Sequence, residues 1–205
     1  MANLYSHYVL PRLIHYAMNR DEMRRLRAAH IPGARGVVLD VGIGSGLNLP
    51  FYTGAVTKVY GVDRSPELLE RAASLTAAAP FPVELLNQDA DRLSLPNASV
   101  DTVVVTWSLC SIADTTGALS EMRRVLKPGG AVMFIEHGLS PDAGVRKWQD
   151  RLTPVWRRCA GGCHLNRKAD DLLRGAGFTI ESLQTGYLAG PRALTFMYEG
   201  VARKI

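Results

Sequence analysis

The sequence predicts an α/β fold, with a seven-stranded, mostly parallel sheet, helices on both faces and an antiparallel last strand. Two observations predict it. An apolar run, Val37 to Val41, leads directly into a turn with three glycines, as a buried parallel strand leads into a tight turn and a helix. Strand-like and helix-like segments then alternate along the chain. The 205 residues suit one domain, 1–205, with a full core.

Ahead of the first strand, residues 1–34 are predicted to be a helical segment. Leu4, Leu13 and Met18 belong to an apolar pattern that indicates at least two helical pieces within residues 3–30. The dipeptide Pro32-Gly33 ends this region.

After the first strand, the pattern predicts six more strands and three helices. The strands are placed at 58–63, 82–87, 101–107, 131–135, 179–184 and 193–199. One helix begins at Ser65-Pro66, one begins near Asp114 and stops at 127–130, and one covers 167–176. Residues 138–166 are predicted to be an irregular, basic insertion.

The glycine turn has the pattern D-x-G-x-G-x-G, formed by Asp40, Gly42, Gly44 and Gly46. The third small residue of a dinucleotide-binding loop is missing, because Leu47 stands there. Glycines let a ligand lie against bare backbone, and helix N-terminal N–H groups then face it. The sequence therefore predicts a cofactor loop of another type.

Further cofactor-binding candidates follow the other strands. Asp63 ends the second strand, where a carboxylate can accept both hydroxyl protons of a ribose. An acid after the third strand can accept from an adenine amino group; Asp89 is the candidate and Asp91 its competitor. The carboxyl end of strand four offers Trp107 and Ser108. The remaining candidates adjoin these motifs: Asn48, Arg64 and Ala90.

Composition and charge limit the cellular setting. The net charge of the chain is +5. Residues 1–36 carry +4 and residues 146–174 carry +5, so the remaining residues are net negative. Such patches are either solvated helix faces or a basic rim that attracts anionic substrates or an anionic membrane. Neither a signal peptide nor a membrane-spanning run is recognised. The three cysteines fit a reducing cytoplasm.

Residues of types that bind metal ions are close together in one segment, which contains Cys159, Cys163 and His164. The second pair of ligands that a zinc motif of this kind needs does not follow in the sequence. We therefore predict no metal site.

The chain resembles the small microsomal alkyl-thiol S-methyltransferases and their bacterial relatives, which are Rossmann-like class I enzymes dependent on S-adenosylmethionine (SAM). The resemblance covers about residues 35–185 and is carried by these segments: 39–52, 103–111, 124–130, 134–137, 152–156 and 162–167. It implies SAM as cofactor, S-adenosylhomocysteine as product, residues 1–34 as a lid over the cofactor and 138–166 as a substrate-side insertion. The hydrophobic anchor of the membrane members is not recognised, so a cytoplasmic protein is expected, with contact to the inner face of the membrane as an option.

Three functions remain open from the sequence. The first is methylation of a small thiol, with His137, His164 and Arg167 supplying positive charge or taking a proton. The second is N-, O- or C-methylation of a phospholipid headgroup or quinone-type ring at a membrane. The third is SAM binding without catalysis. Nucleic acid is not an expected partner, because no recognition domain or basic-aromatic stripe occurs. The oligomeric state is not indicated.

Overall fold

The computed structural model describes residues 4–204 and contains one seven-stranded sheet in the order β3-β2-β1-β4-β5-β7-β6. Neighbouring strands are parallel except at β7, which is antiparallel to both β5 and β6. The predicted fold class is therefore confirmed. Residues 1–3 of the predicted N-terminal segment lie outside the described residues.

The strands occupy β1 Gly36–Val41, β2 Val56–Asp63, β3 Val83–Asn87, β4 Val100–Thr106, β5 Leu126–His137, β6 Phe178–Tyr187 and β7 Phe196–Lys204. A π-helical turn, Tyr5–Val9, leads into the first helix. The helices are α1 Leu10–Met18, α2 Asp21–His30, α3 Pro66–Thr76, α4 Thr115–Val125, α5 Ala143–Cys159, α6 Ala169–Gly175 and the short α7 Arg192–Thr195.

Several predicted boundaries were wrong. The region 138–166 is not irregular throughout, because it contains the 17-residue helix α5. The last strand begins at Phe196, and residues 192–195, partly predicted as strand, form a helical turn. Strand five begins at Leu126, so it includes the segment 127–130 that was predicted to stop the preceding helix. The two strand errors share a cause: short-range patterns do not show which residues will pair across the sheet.

The hydrophobic core lies on both faces of the sheet, because successive strand residues point to opposite sides. Val103 and Val105 pack in the cluster beneath α4 and α6, whereas Val104 belongs to the cluster with Ile31 and α3. The predicted helices on both faces are thus found. Among residues 4–204, the structure contains no helix long and apolar enough to cross a membrane.

Candidate active site

A cavity of about 480 Å³ opens at the carboxyl ends of the parallel strands. Its volume lies in the range of about 300–1,000 Å³ that is usual for small-molecule sites. Most predicted cofactor residues line it together: Gly42, Gly44, Asn48, Asp63, Arg64, Asp89, Ala90, Trp107 and Ser108. Asp40 and Gly46 are not among the described lining residues.

The glycine loop has the positive φ angles that its sequence predicts, but the prediction of a helix after it was wrong: a 3₁₀ turn, Leu49–Phe51, follows instead. Gly42, Gly44 and Gly46 all have positive φ, at 70°, 57° and 80°. A Cβ added at Gly42 would lie 2.5 Å from Cβ of Ser108. Glycine at position 42 is therefore required both by its backbone angle and by the close approach of the loop after β4.

Asp63 holds this loop as well as lining the cavity. Its Oδ2 accepts a hydrogen bond from the Gly44 N–H at 2.9 Å, and its Oδ1 accepts one from the Ser65 N–H at 2.9 Å. Burial raises the pKa of the Asp63 carboxyl, while these N–H donors act to lower it. Each oxygen keeps a further lone pair that a ribose hydroxyl can use.

Asp40 serves the site from behind the cavity. It is fully buried, its carboxylate accepts hydrogen bonds from Asn48 Nδ2 and, at 2.9 Å, from Tyr52 Oη, and burial raises its pKa to about 6. Asn48 in turn accepts a 2.9 Å hydrogen bond from Arg27 Nε. The predicted cofactor contact of Asp40 stays a prediction, because this network gives it a structural role.

Arg27 is a site residue that sequence reasoning missed. It is only 4% exposed, lines the cavity, and lies with its guanidinium 4.7 Å from the Trp107 ring centre. Burial lowers its pKa to about 10, a change that the neighbouring Asp40 opposes. Its spacing of four from both Met23 and Ile31 placed it on an inward helix face, and this signal could have identified it.

The loop after β4, residues 107–112, forms one wall of the cavity, and the buried Glu136 carboxyl group holds this wall after β4. Oε1 of Glu136 accepts hydrogen bonds from the N–H groups of Ser108, at 2.7 Å, and Leu109, at 3.0 Å. Burial raises the pKa of Glu136 to about 8. Trp107 has a φ of 50°, which is uncommon for a residue other than glycine and occurs at many functional sites.

The N-terminal helical segment forms a further part of the cavity lining. Leu10, Ile14 and Met18 contribute apolar lining. His15 Nδ1 lies 2.7 Å from Ser45 Oγ in the glycine loop, and His7 pairs with Glu67 near the start of α3. The segment thus contacts the glycine loop directly, and its role as a lid stays a prediction.

The three predicted catalytic residues do not line the cavity in the described part of the chain. Nη1 of Arg167 donates to the carbonyl oxygens of Leu109, at 2.5 Å, and Ile112, at 2.7 Å, so it fixes the wall after β4. His164 Nδ1 lies 3.1 Å from the Cys110 carbonyl oxygen, and burial lowers its pKa. His137 lies behind the same wall.

His137 meets two cysteines there. Its Nε2 is 3.0 Å from Cys163 Sγ, and Cys110, His137 and Cys163 each place a ligand-type atom within 4.8 Å of the others. The sequence grouped Cys159 with Cys163 and His164, but Cys159 does not join this cluster. Cys159 is exposed, and its Sγ contacts carbonyl oxygens of its own helix.

The chain is similar in sequence to a known domain family and to curated proteins. A methyltransferase domain model matches residues 39–134. The chain is 32% identical over 151 residues to thiol S-methyltransferase TMT1B of Rattus norvegicus, covering 72% of this chain and 62% of the relative. It is 40% identical over 119 residues to phosphatidylethanolamine N-methyltransferase of Cereibacter sphaeroides, covering 57% and 58%. The chain therefore spans less than two thirds of the length of these curated relatives.

Among solved structures, the fold is similar to N-methyltransferase NodS of Bradyrhizobium japonicum, which was crystallised with S-adenosylhomocysteine. The TM-score is 0.70 at 17% identity, over 92% of this chain and 91% of NodS. The matched domain, the strand order and the glycine loop define the class: residues 39–134 belong to a methyltransferase domain with the class I, Rossmann-like fold. The lined cavity, with Asp63 at its edge, fits SAM, the cofactor of this class.

Proposed function

We propose that this methyltransferase moves the SAM methyl group to the sulfur of a small thiol. The observation that carries the proposal is an apolar part of the cavity lining, formed by Leu10, Pro11, Ile14, Ile112 and Ala160. A small apolar thiol suits such a lining better than a charged polymer does. The similarity to thiol S-methyltransferase TMT1B, which extends over 151 residues, supports the same acceptor.

The chemistry asks little of the protein beyond alignment. SAM supplies an already reactive methyl group, and a thiol with a pKa of about 8.5 is partly ionised near neutral pH. The residues of this chain then bind, orient and exclude water. In this proposal Gly42, Gly44 and Asp63 hold the cofactor, while the lid, α1 with the turn before it, closes over the acceptor.

The proposal is tested with purified protein, methyl-labelled SAM and a panel of alkyl thiols, amines and phenols. We expect labelled thioether as the main product. Ile14→Asp should lower kcat/KM for the thiol at least tenfold, because it places a charge in the apolar lining. Ala17→Asp adds the same charge at an exposed position of α1 outside the cavity, and should change little. Methylation of amines or phenols with no thioether would contradict the thiol assignment.

A second acceptor, a phospholipid amine, is favoured by one further surface. Exposed apolar residues lie on two helical segments that meet where Tyr5 Oη donates to the Cys159 carbonyl oxygen at 2.6 Å. They are Tyr8, Leu13 and Tyr16 on the N-terminal segment and Trp148, Leu152 and Val155 on α5. Exposed basic residues are interspersed with them: Arg12, Lys147, Arg151 and Arg158. Apolar side chains among cations suit an anionic membrane surface.

We expect the protein to bind vesicles that contain anionic phospholipid, and binding should fade as salt is raised. Trp148→Asp should weaken co-sedimentation several-fold, since it replaces a 58% exposed indole with a repelled charge. Leu183→Asp is the control, because Leu183 is an exposed apolar residue of β6 outside this surface. Equal loss in both variants, or equal binding to neutral vesicles, would count against a membrane-facing surface.

A further inference from the structure

Three ligand-type side chains converge behind the wall after β4, from segments far apart in the sequence. Cys110 follows β4, His137 ends β5, and Cys163 lies between α5 and α6. Both thiols are buried, with exposures of 3% for Cys110 and 8% for Cys163. The cavity lining includes none of these three side chains, so the proposed methyl transfer leaves them without a role.

Their other contacts do not account for the arrangement. Cys110 Sγ lies 3.6 Å from the Trp107 carbonyl oxygen and 3.4 Å from Ser111 Oγ, which are contacts typical of weak thiol hydrogen bonds. His137 Nδ1 is buried and has no hydrogen-bond partner within residues 4–204. Leu165 and Trp156 pack against the cluster, and the buried Glu136 carboxyl group lies beside Cys110.

We propose that Cys110, His137 and Cys163 bind one Zn²⁺ ion. Two thiolates and an imidazole form a ligand set that zinc prefers, and the two thiolate charges balance the dication in a buried place. Zn–S bonds of about 2.3 Å and Zn–N bonds of about 2.0–2.1 Å put the ligand atoms of a tetrahedral site roughly 3.3–3.8 Å apart. The observed cluster, with all separations within 4.8 Å, needs only small side-chain adjustments to reach that geometry.

Binding would release the two thiol protons to solvent and involves no electron transfer. Three protein ligands leave a fourth position for water or another small ligand, as in many zinc sites that are not purely structural. The ion would join the end of β5 to the loop after β4 and to the connection before α6. Its predicted effect is therefore stability of the cavity wall.

The test is metal content after expression with added zinc and removal of loosely bound ions. We expect one zinc per chain in the unaltered protein and at least a fivefold reduction in Cys163→Ser and His137→Ala. Cys159→Ser is the matched control, because it removes an exposed thiol outside the cluster and should keep the zinc. Chelator should lower the Tm of the unaltered protein, and added zinc should restore it.

Cobalt titration of reduced, metal-free protein keeps the test valid where a variant folds poorly. Thiolate-to-cobalt charge transfer and tetrahedral visible bands, both saturating at one cobalt per chain, would support the site. The proposal is overturned if the unaltered, reduced protein takes up neither metal, or if Cys159→Ser loses it as fully as Cys163→Ser does. Isolation of a Cys110–Cys163 disulfide that binds no metal after reduction would also overturn it.

Discussion

Asp63→Ala is expected to weaken SAM binding by about 1.5–3 kcal/mol, roughly a 10- to 100-fold increase in Kd. Two effects add. The ribose hydroxyls lose a charged acceptor, and the N–H groups of Gly44 and Ser65 lose the carboxylate oxygens that hold the loop. Isothermal titration calorimetry on protein with native circular dichroism measures the change.

Two variants sharpen this measurement. Asp63→Asn keeps one acceptor oxygen but loses the charge, so its Kd should fall between those of the unaltered protein and Asp63→Ala. Glu181→Ala removes an exposed carboxylate on the edge strand β6 and should leave SAM affinity unchanged. Unaltered affinity in Asp63→Ala would remove Asp63 from the cofactor site.

Glu136→Ala is expected to lower the free energy of unfolding by about 3 kcal/mol or more. The Glu136 carboxylate accepts from the N–H groups of Ser108 and Leu109 and, at a longer 3.4 Å, from that of Cys110. Because Glu136 is 1% exposed, water cannot easily replace it at these donors. Urea unfolding followed by circular dichroism measures the loss, and SAM affinity should fall with it since Trp107 and Ser108 line the cavity.

The control for this prediction is Glu84→Ala. Glu84 is an exposed residue of β3 that pairs with Lys58, and its removal should change the free energy of unfolding by about 0.5 kcal/mol or less. Glu136→Gln keeps one acceptor oxygen and should lose less than Glu136→Ala. Equal stability of Glu136→Ala and the unaltered protein would show that the wall does not depend on this carboxylate.

The predicted cofactor residues that line the cavity could be found from the sequence because each ends or follows a strand. The carboxyl ends of parallel strands meet at one edge of the sheet, so sequence order alone brings Gly42, Asp63 and Trp107 together. The glycine pattern was equally local: positive φ at alternate positions leaves few other residue types possible. Helix α5 was missed, and Pro154 inside it is a residue type that normally ends a helix.

The sequence by itself determined the fold class, the cofactor class and the loop that fits the cofactor, because local backbone geometry and strand order depend on neighbouring residues. Only the tertiary structure decided which side chains meet across distant segments. It engaged Arg167 with two carbonyl oxygens instead of the cavity, and brought Cys110, His137 and Cys163 together. Such contacts follow from how loops and helices pack on the finished sheet, which no spacing within one segment can specify.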